Sequence, residues 1–238
     1  TCALPIFAEL EANLPNRFPL PDEFTWTLLK PATVKSAAGA VTEIQPDASV
    51  LISGTNPETD SYEIQLDSDL KDVAALRLEA LIDDKLPSKG PGRTPHGNFV
   101  LSEITASIAP ADAAADAKPL KFTHATADFS QEKFDVAQAI DGNAKTGGWA
   151  IHGPGNGNVN RTATFVLAQP AGFADKPARW TIKLEQQHGM QHTLGKFRIS
   201  LGRRNATSGS EEERRKKHFD QKFQAWLNDT QKSLVRWE

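Results

Sequence analysis

Cysteine is nearly missing from this chain of 238 residues: the single one, Cys2, stands next to the first residue. No internal disulfide can form, and no thiolate-rich metal site can be assembled. A basic excess is missing too. Lys and Arg together number 27 against 30 Asp and Glu, a formal net charge of −3, and a chain so balanced has no electrostatic footprint for a nucleic-acid partner. No stretch of about 20 apolar residues exists, which excludes a transmembrane helix. Thr1-Cys2-Ala3-Leu4-Pro5 lacks the basic n-region and apolar core of a signal peptide, so the start reads as an excised or truncated edge. Nucleophile-elbow and phosphate-loop patterns are also lacking, and no carboxylate pair stands out from the solvated charges. These absences turn the reading away from an enzyme.

What is present is many short apolar or alternating runs. Ser61-Tyr62-Glu63-Ile64-Gln65-Leu66 alternates cleanly, and Leu76 to Leu81 does the same, as strands with one buried face should. Similar runs fall at 33–36, 41–45, 50–53, 73–81, 99–108, 120–125, 162–167, 180–185 and 197–201, separated by Gly, Pro, Asn and Asp. With no helical crossover recurring between them, the pattern predicts an all-β sandwich over 26–202. Residues 1–25 carry Pro5, Pro15, Pro19 and Pro21 around one short helix at Phe7 to Leu14, and read as a connecting segment. Pro110 to Pro119 is Ala/Asp-rich and reads as an exposed loop of the same sandwich. A C-terminal amphipathic helix is expected over 210–235. There Ser210 and Glu213 form a capping box, and Phe219, Phe223, Trp226, Thr230 and Leu234 recur at near-helical spacing. Its run Arg214 to Lys217 reads as a solvated face beside three acids.

The most informative stretch is Ala139-Ile140-Asp141-Gly142-Asn143-Ala144-Lys145-Thr146-Gly147-Gly148-Trp149, read as an apolar strand end that drops into a polar glycine loop and returns on a tryptophan. Asp141, Asn143 and Thr146 place hard oxygen donors within one turn, the kind a structural Ca²⁺ takes, while the same residues also suit plain loop closure. Gly90-Pro91-Gly92-Arg93 with His96, Gly97 and Asn98 reads as a rigid polar loop, in which Arg93 and Asn98 either reach a ligand or pair back onto a strand. His188 and His192 have the i, i+4 spacing of a metal pair. Gly189 holds the place a zincin gives to Glu, however, and the connection is not helical, so these histidines are expected at the mouth of the sandwich with His152.

The order of residues from Ala139 to Trp149 resembles the A-x-D-G-x(n)-T-x-W signature of discoidin-like, galactose-binding β-sandwich domains. Taken with Leu86 to Glu103, Ala127-Asp128-Phe129-Ser130 and His192 to Ser200, it resembles a domain of large planctomycete proteins that also carry c-type cytochrome modules. The resemblance spans 26–201 and departs at Gly147-Gly148, where one glycine is expected. It implies a galactose-binding-like jelly roll on an exported, extracytoplasmic multidomain protein. No Cys-x-x-Cys-His haem attachment is present in this stretch. On this reading the chain is a non-catalytic module for a polysaccharide or glycoconjugate, beside neighbouring modules of the same protein. Trp149 would stack on the sugar, and Arg93, Asn98, His152 and His192 would supply hydrogen bonds. A structural or protein-docking domain is the alternative, and Trp149 discriminates: exposed in a concave patch it serves a ligand, buried against Phe129 and Ile151 it serves the core.

Overall fold

The computed structural model describes residues 23–153 and 159–206, with positions 213, 214, 216–218, 220, 221 and 224. Those last positions are helical; the apolar stripe expected from Phe219 to Leu234, the short helix expected at Phe7 to Leu14, and residues 154–158 lie outside the described residues.

Two antiparallel sheets face each other as a jelly-roll β-sandwich. Strands β1 (Phe24–Leu28), β2 (Thr33–Ser36), β3 (Val41–Ile44), β4 (Val50–Ser53), β5 (Asp60–Ser68), β6 (Val73–Ala80), β7 (Val100–Leu101) and β8 (Glu103–Pro110) fill the first half of the chain. After them come β9 (Lys118–Leu120), β10 (Phe122–Ala127), β11 (Trp149–Ala150), β12 (Arg161–Ala171), β13 (Ala178–Gln186) and β14 (Lys196–Arg204). One sheet has seven strands, in the order β10-β12-β6-β14-β4-β3 with β1 also on β14; the other runs β2-β5-β13-β8-β9; β11 and β7 form a separate two-stranded ribbon.

The period-2 pattern explains the layers. In β5 every second residue from Asp60 to Ser68 is buried, which turns Tyr62, Ile64 and Leu66 inward, and in β13 Trp180, Ile182 and Leu184 do the same. From the facing sheet come Leu76, Leu78, Phe165, Phe197, Ile199 and Leu201, and the two sets meet in one core. A smaller apolar patch covers the outside of the larger sheet, where Phe24 packs with Ala74 and Ala75, and Trp26 lies 4.0 Å beneath the Arg77 guanidinium.

Three local expectations are corrected. The run 99–108 is two strands, because Ser102 leaves the ladder: its N–H donates to Glu185 and its hydroxyl accepts from Gln187. Pro110 to Pro119 is not a long loop. Lys118 to Leu120 pair back on Ala106 to Ile108, so only 111–117 connect a hairpin. Finally, Ala139-Ile140 is no strand end but closes a 3-10 helix, Val136–Ile140, whose first turn is capped by the Asp135 carboxylate accepting from Ala137 N–H.

Candidate functional site

At one end of the sandwich three segments are knotted together by backbone hydrogen bonds. The 90–99 loop folds back on itself: Gly92 N–H donates to Gly97, and Gly97 N–H to Thr94. Gly92 is required there, since a Cβ on it would lie 1.9 Å from the Asn98 carbonyl oxygen. Arg93 N–H donates to Thr193, Gly195 N–H to Pro91 and Val100 N–H to His192, which fastens this loop to the β13–β14 connection. The third segment is the β11 ribbon, whose continuation is held by Asn98: its Oδ1 accepts from Ile151 N–H at 3.0 Å and its Nδ2 donates to the Gln131 side chain at 3.4 Å. Gln131 Oε1 also accepts from His152 N–H.

On this knot stands a run of five rings. Phe134 meets His188 edge to face with centroids 5.4 Å apart. His188 meets His192 at 5.0 Å, His192 meets His96 at 5.7 Å, and His96 meets His152 at 5.2 Å. Four of the chain's six histidines are therefore gathered at one place, from positions up to 96 residues apart in sequence (192 less 96). His96, His152 and His188 are exposed, while His192 and Phe134 are half-buried. His192 is the anchored member, with Nδ1–H donating to the Gly189 carbonyl 3.0 Å away. Its turn is left-handed at Gly189, Met190 and Gln191, with φ of 88, 51 and 63°, and is tied down by Met190 N–H on the Glu58 carboxylate at 2.8 Å. Partial burial, then the charges of His152 and His192, hold the His96 imidazolium below the ordinary 6.5; partial burial, then His192, do the same for His188.

The five ligand residues expected from sequence divide sharply. His152 and His192 lie in the ring run. Trp149 does not offer a stacking face: it is 0% exposed, its ring packs edge-to-face on Phe99 at 5.1 Å, and Nε1–H donates to the Phe129 carbonyl at 2.9 Å. The buried alternative is the correct one. Asn98 is buried and spent as a brace between segments. Arg93, 6% exposed, reaches inward to the Gly54 carbonyl rather than outward to a ligand, while its Nη1 has no hydrogen-bond partner among the described residues. Sequence reasoning placed His188 with His192 and His152 at the mouth of the sandwich, counted His96 only as part of a polar loop, and missed Phe134 altogether.

Asp141, Asn143 and Thr146 do come together, but their side chains close the loop on itself. Asp141 Oδ1 accepts from Asn143 N–H, Asn143 Oδ1 accepts from Lys145 N–H, and Asn143 Nδ2 donates to Thr146 Oγ1 at 2.7 Å. Ca²⁺ takes six to eight oxygens, and this donor set is one carboxylate and two side-chain oxygens already engaged in the turn, so it does not fit the ion. No cluster of three or more His, Cys, Asp or Glu side chains suited to a metal occurs among the described residues. Beneath the loop lies Glu103, accepting from Gly142 N–H at 3.1 Å; burial above all, then the charge of Asp141, pushes its carboxyl up to about 7.

No protein-family profile matches the chain, and no curated sequence is significantly similar to it. Among solved structures it is similar to carbohydrate-binding modules described as of the β-sandwich superfamily (11% identity, TM-score 0.27, 76% of this chain and 55% of that one). It is also similar to the CBM32-1 and CBM32-2 domains of Clostridium perfringens ZmpB (10%, 0.34, 84% and 47%). A third similarity is to TmCBM27, described as a mannan-recognising carbohydrate-binding module (8%, 0.34, 82% and 92%). The chain spans about half the length of the first two.

Proposed function

We propose that this chain is a non-catalytic carbohydrate-binding-type module of a larger exported protein, and that it meets a polysaccharide or glycoconjugate at the ring run of Phe134, His188, His192, His96 and His152. The single observation that carries this reading is the run itself: five contacting rings on loops at one end of a rigid sheet scaffold. Imidazole and phenyl faces offer apolar contact to sugar C–H groups, and imidazole nitrogens donate to and accept from hydroxyls, the mixture a saccharide site needs. The resemblance read from the sequence motifs is what supports an extracytoplasmic location and neighbouring modules of the same protein.

The test is a glycan-array screen of the full chain, followed by affinity electrophoresis of hits with His192→Ala and His96→Ala. Binding that is lost in both variants, with no saccharide converted to product, supports the module. Failure to bind any glycan turns the assignment to the docking-domain alternative.

A further inference from the structure

We propose that the saccharide taken at the histidine run is an acidic one, bearing uronate carboxylates or sulfate esters, and that it binds together with protons; this rests on the reading above that the ring run is a glycan site. The argument starts from charge that has no counter-charge. Four imidazoles stand in a chain with neighbouring centroids 5.0 to 5.7 Å apart, close enough that positive charges on neighbouring rings repel. None of the four has a carboxylate within ion-pair distance among the described residues.

The acids on the elements packed around them are engaged with backbone N–H groups or exposed to solvent. Glu58 receives the Met190 N–H, Asp135 caps the 3-10 helix that follows Phe134, and Glu132 is exposed beside the exposed Lys133. A second observation is independent of the histidines. Arg93, turned inward on the Gly54 carbonyl, does not touch a ligand but is a buried cation at the base of the same loops, joined to the run by its N–H on Thr193, with no ion pair and one unpartnered guanidinium nitrogen among the described residues, so it adds positive potential beneath the run. Buried cations are normally paired.

This end of the molecule therefore gathers positive charge as pH falls, and the carboxylate at its turn, Glu58, is held by the Met190 N–H rather than paired with a histidine. A ligand that brings an anion offsets the mutual repulsion of the imidazoliums. By linkage, whatever favours the protonated histidines in the complex draws protons on binding.

The experiment is isothermal titration calorimetry of the full chain at pH 5.5, 6.5 and 7.5 with an oligogalacturonate, a sulfated oligogalactoside and an uncharged oligogalactoside of about equal length, in buffers of different ionisation enthalpy. The expected result is that at least one charged ligand binds more tightly as pH falls, by up to about tenfold per pH unit for each proton taken up. Buffer-dependent heats would show that uptake, and which charged ligand responds separates carboxylate from sulfate. His152→Gln, whose side chain is exposed, should leave the melting temperature unchanged and reduce both the pH slope and the uptake. Equal, pH-independent affinity for charged and uncharged ligands overturns the acidic specificity while leaving the module reading intact. Binding of no saccharide at any pH overturns both.

Discussion

Replacing Trp149 with alanine is expected to cost about 3–5 kcal/mol of stability, because the indole is wholly buried against Phe99 and its loss leaves a cavity in the core. Trp149→Phe keeps the ring packing but strands the Phe129 carbonyl, at about 1–2 kcal/mol. Denaturant unfolding of the two variants measures both figures, and little change in either would return Trp149 to the surface. At Glu103 the effect is one of pH. Its folded-state value of about 7 lies above the ordinary 4.5, so between these two the folded protein keeps a proton that the unfolded chain has released. Stability from this group is full below pH 4.5 and is lost as pH rises through 7, by up to about 3 kcal/mol. Glu103→Gln should flatten that fall in unfolding free energy; an unchanged slope between pH 5 and 8 would clear Glu103 of it. His96 and His188 act in the opposite sense, since values held below 6.5 make the fold lose stability as pH drops beneath that point.

At the scale of elements, the double glycine before β11 sets how the ribbon is aimed. Gly148 sits at φ 121°, and a Cβ there would lie 2.5 Å from the Leu101 carbonyl oxygen across the β7 pairing. Gly147, at φ 74°, would press a Cβ to 2.8 Å from Gln138 Oε1, the atom that accepts from Gly148 N–H. Gly148→Ala should therefore cost about 1–3 kcal/mol for backbone conformation alone, read by thermal melting, and more for the contact with Leu101. In the Asp141 loop, Asp141→Ala removes the acceptor of Asn143 N–H and should cost about 0.5–1.5 kcal/mol equally in calcium and in chelator. A calcium-dependent melting shift abolished by that substitution would instead make the loop an ion site.

The strands of this fold are legible because alternation is local: Ser61 to Leu66 declares its buried face within six residues, inside what becomes β5. The ring run is not legible in that way. His96 touches His152 directly and reaches His188 only through His192, all of them placed by the knot of bonds from Pro91, Arg93, Asn98 and Val100, and no spacing in the sequence encodes a contact made by sheet closure. Trp149 was ambiguous for the same reason, since the Phe99 ring that buries it arrives from fifty residues earlier (149 less 99).

For the molecule as a whole, the order of strands argues that the two halves of the chain hold each other in place. In the larger sheet β6 lies between β12 and β14, and in the smaller β13 lies between β5 and β8, so each sheet interleaves strands from before and after residues 111–117. The core repeats this mixture, with Tyr62 stacked on Phe197 at 5.9 Å and its hydroxyl, pushed up to about 12 chiefly by burial, donating to the Leu194 carbonyl. Neither half has a sheet that could close without the other. Limited proteolysis is therefore expected to nick the exposed hairpin connection between 111 and 117 and leave two fragments that elute together and unfold in a single transition. Because the ring run draws His96 from the first fragment and His152, His188 and His192 from the second, the nicked protein should also retain the proposed saccharide binding, and dissociation in denaturant should abolish it. Fragments that separate under native conditions and stay folded would contradict the interleaving, and with it the requirement that both halves build the site.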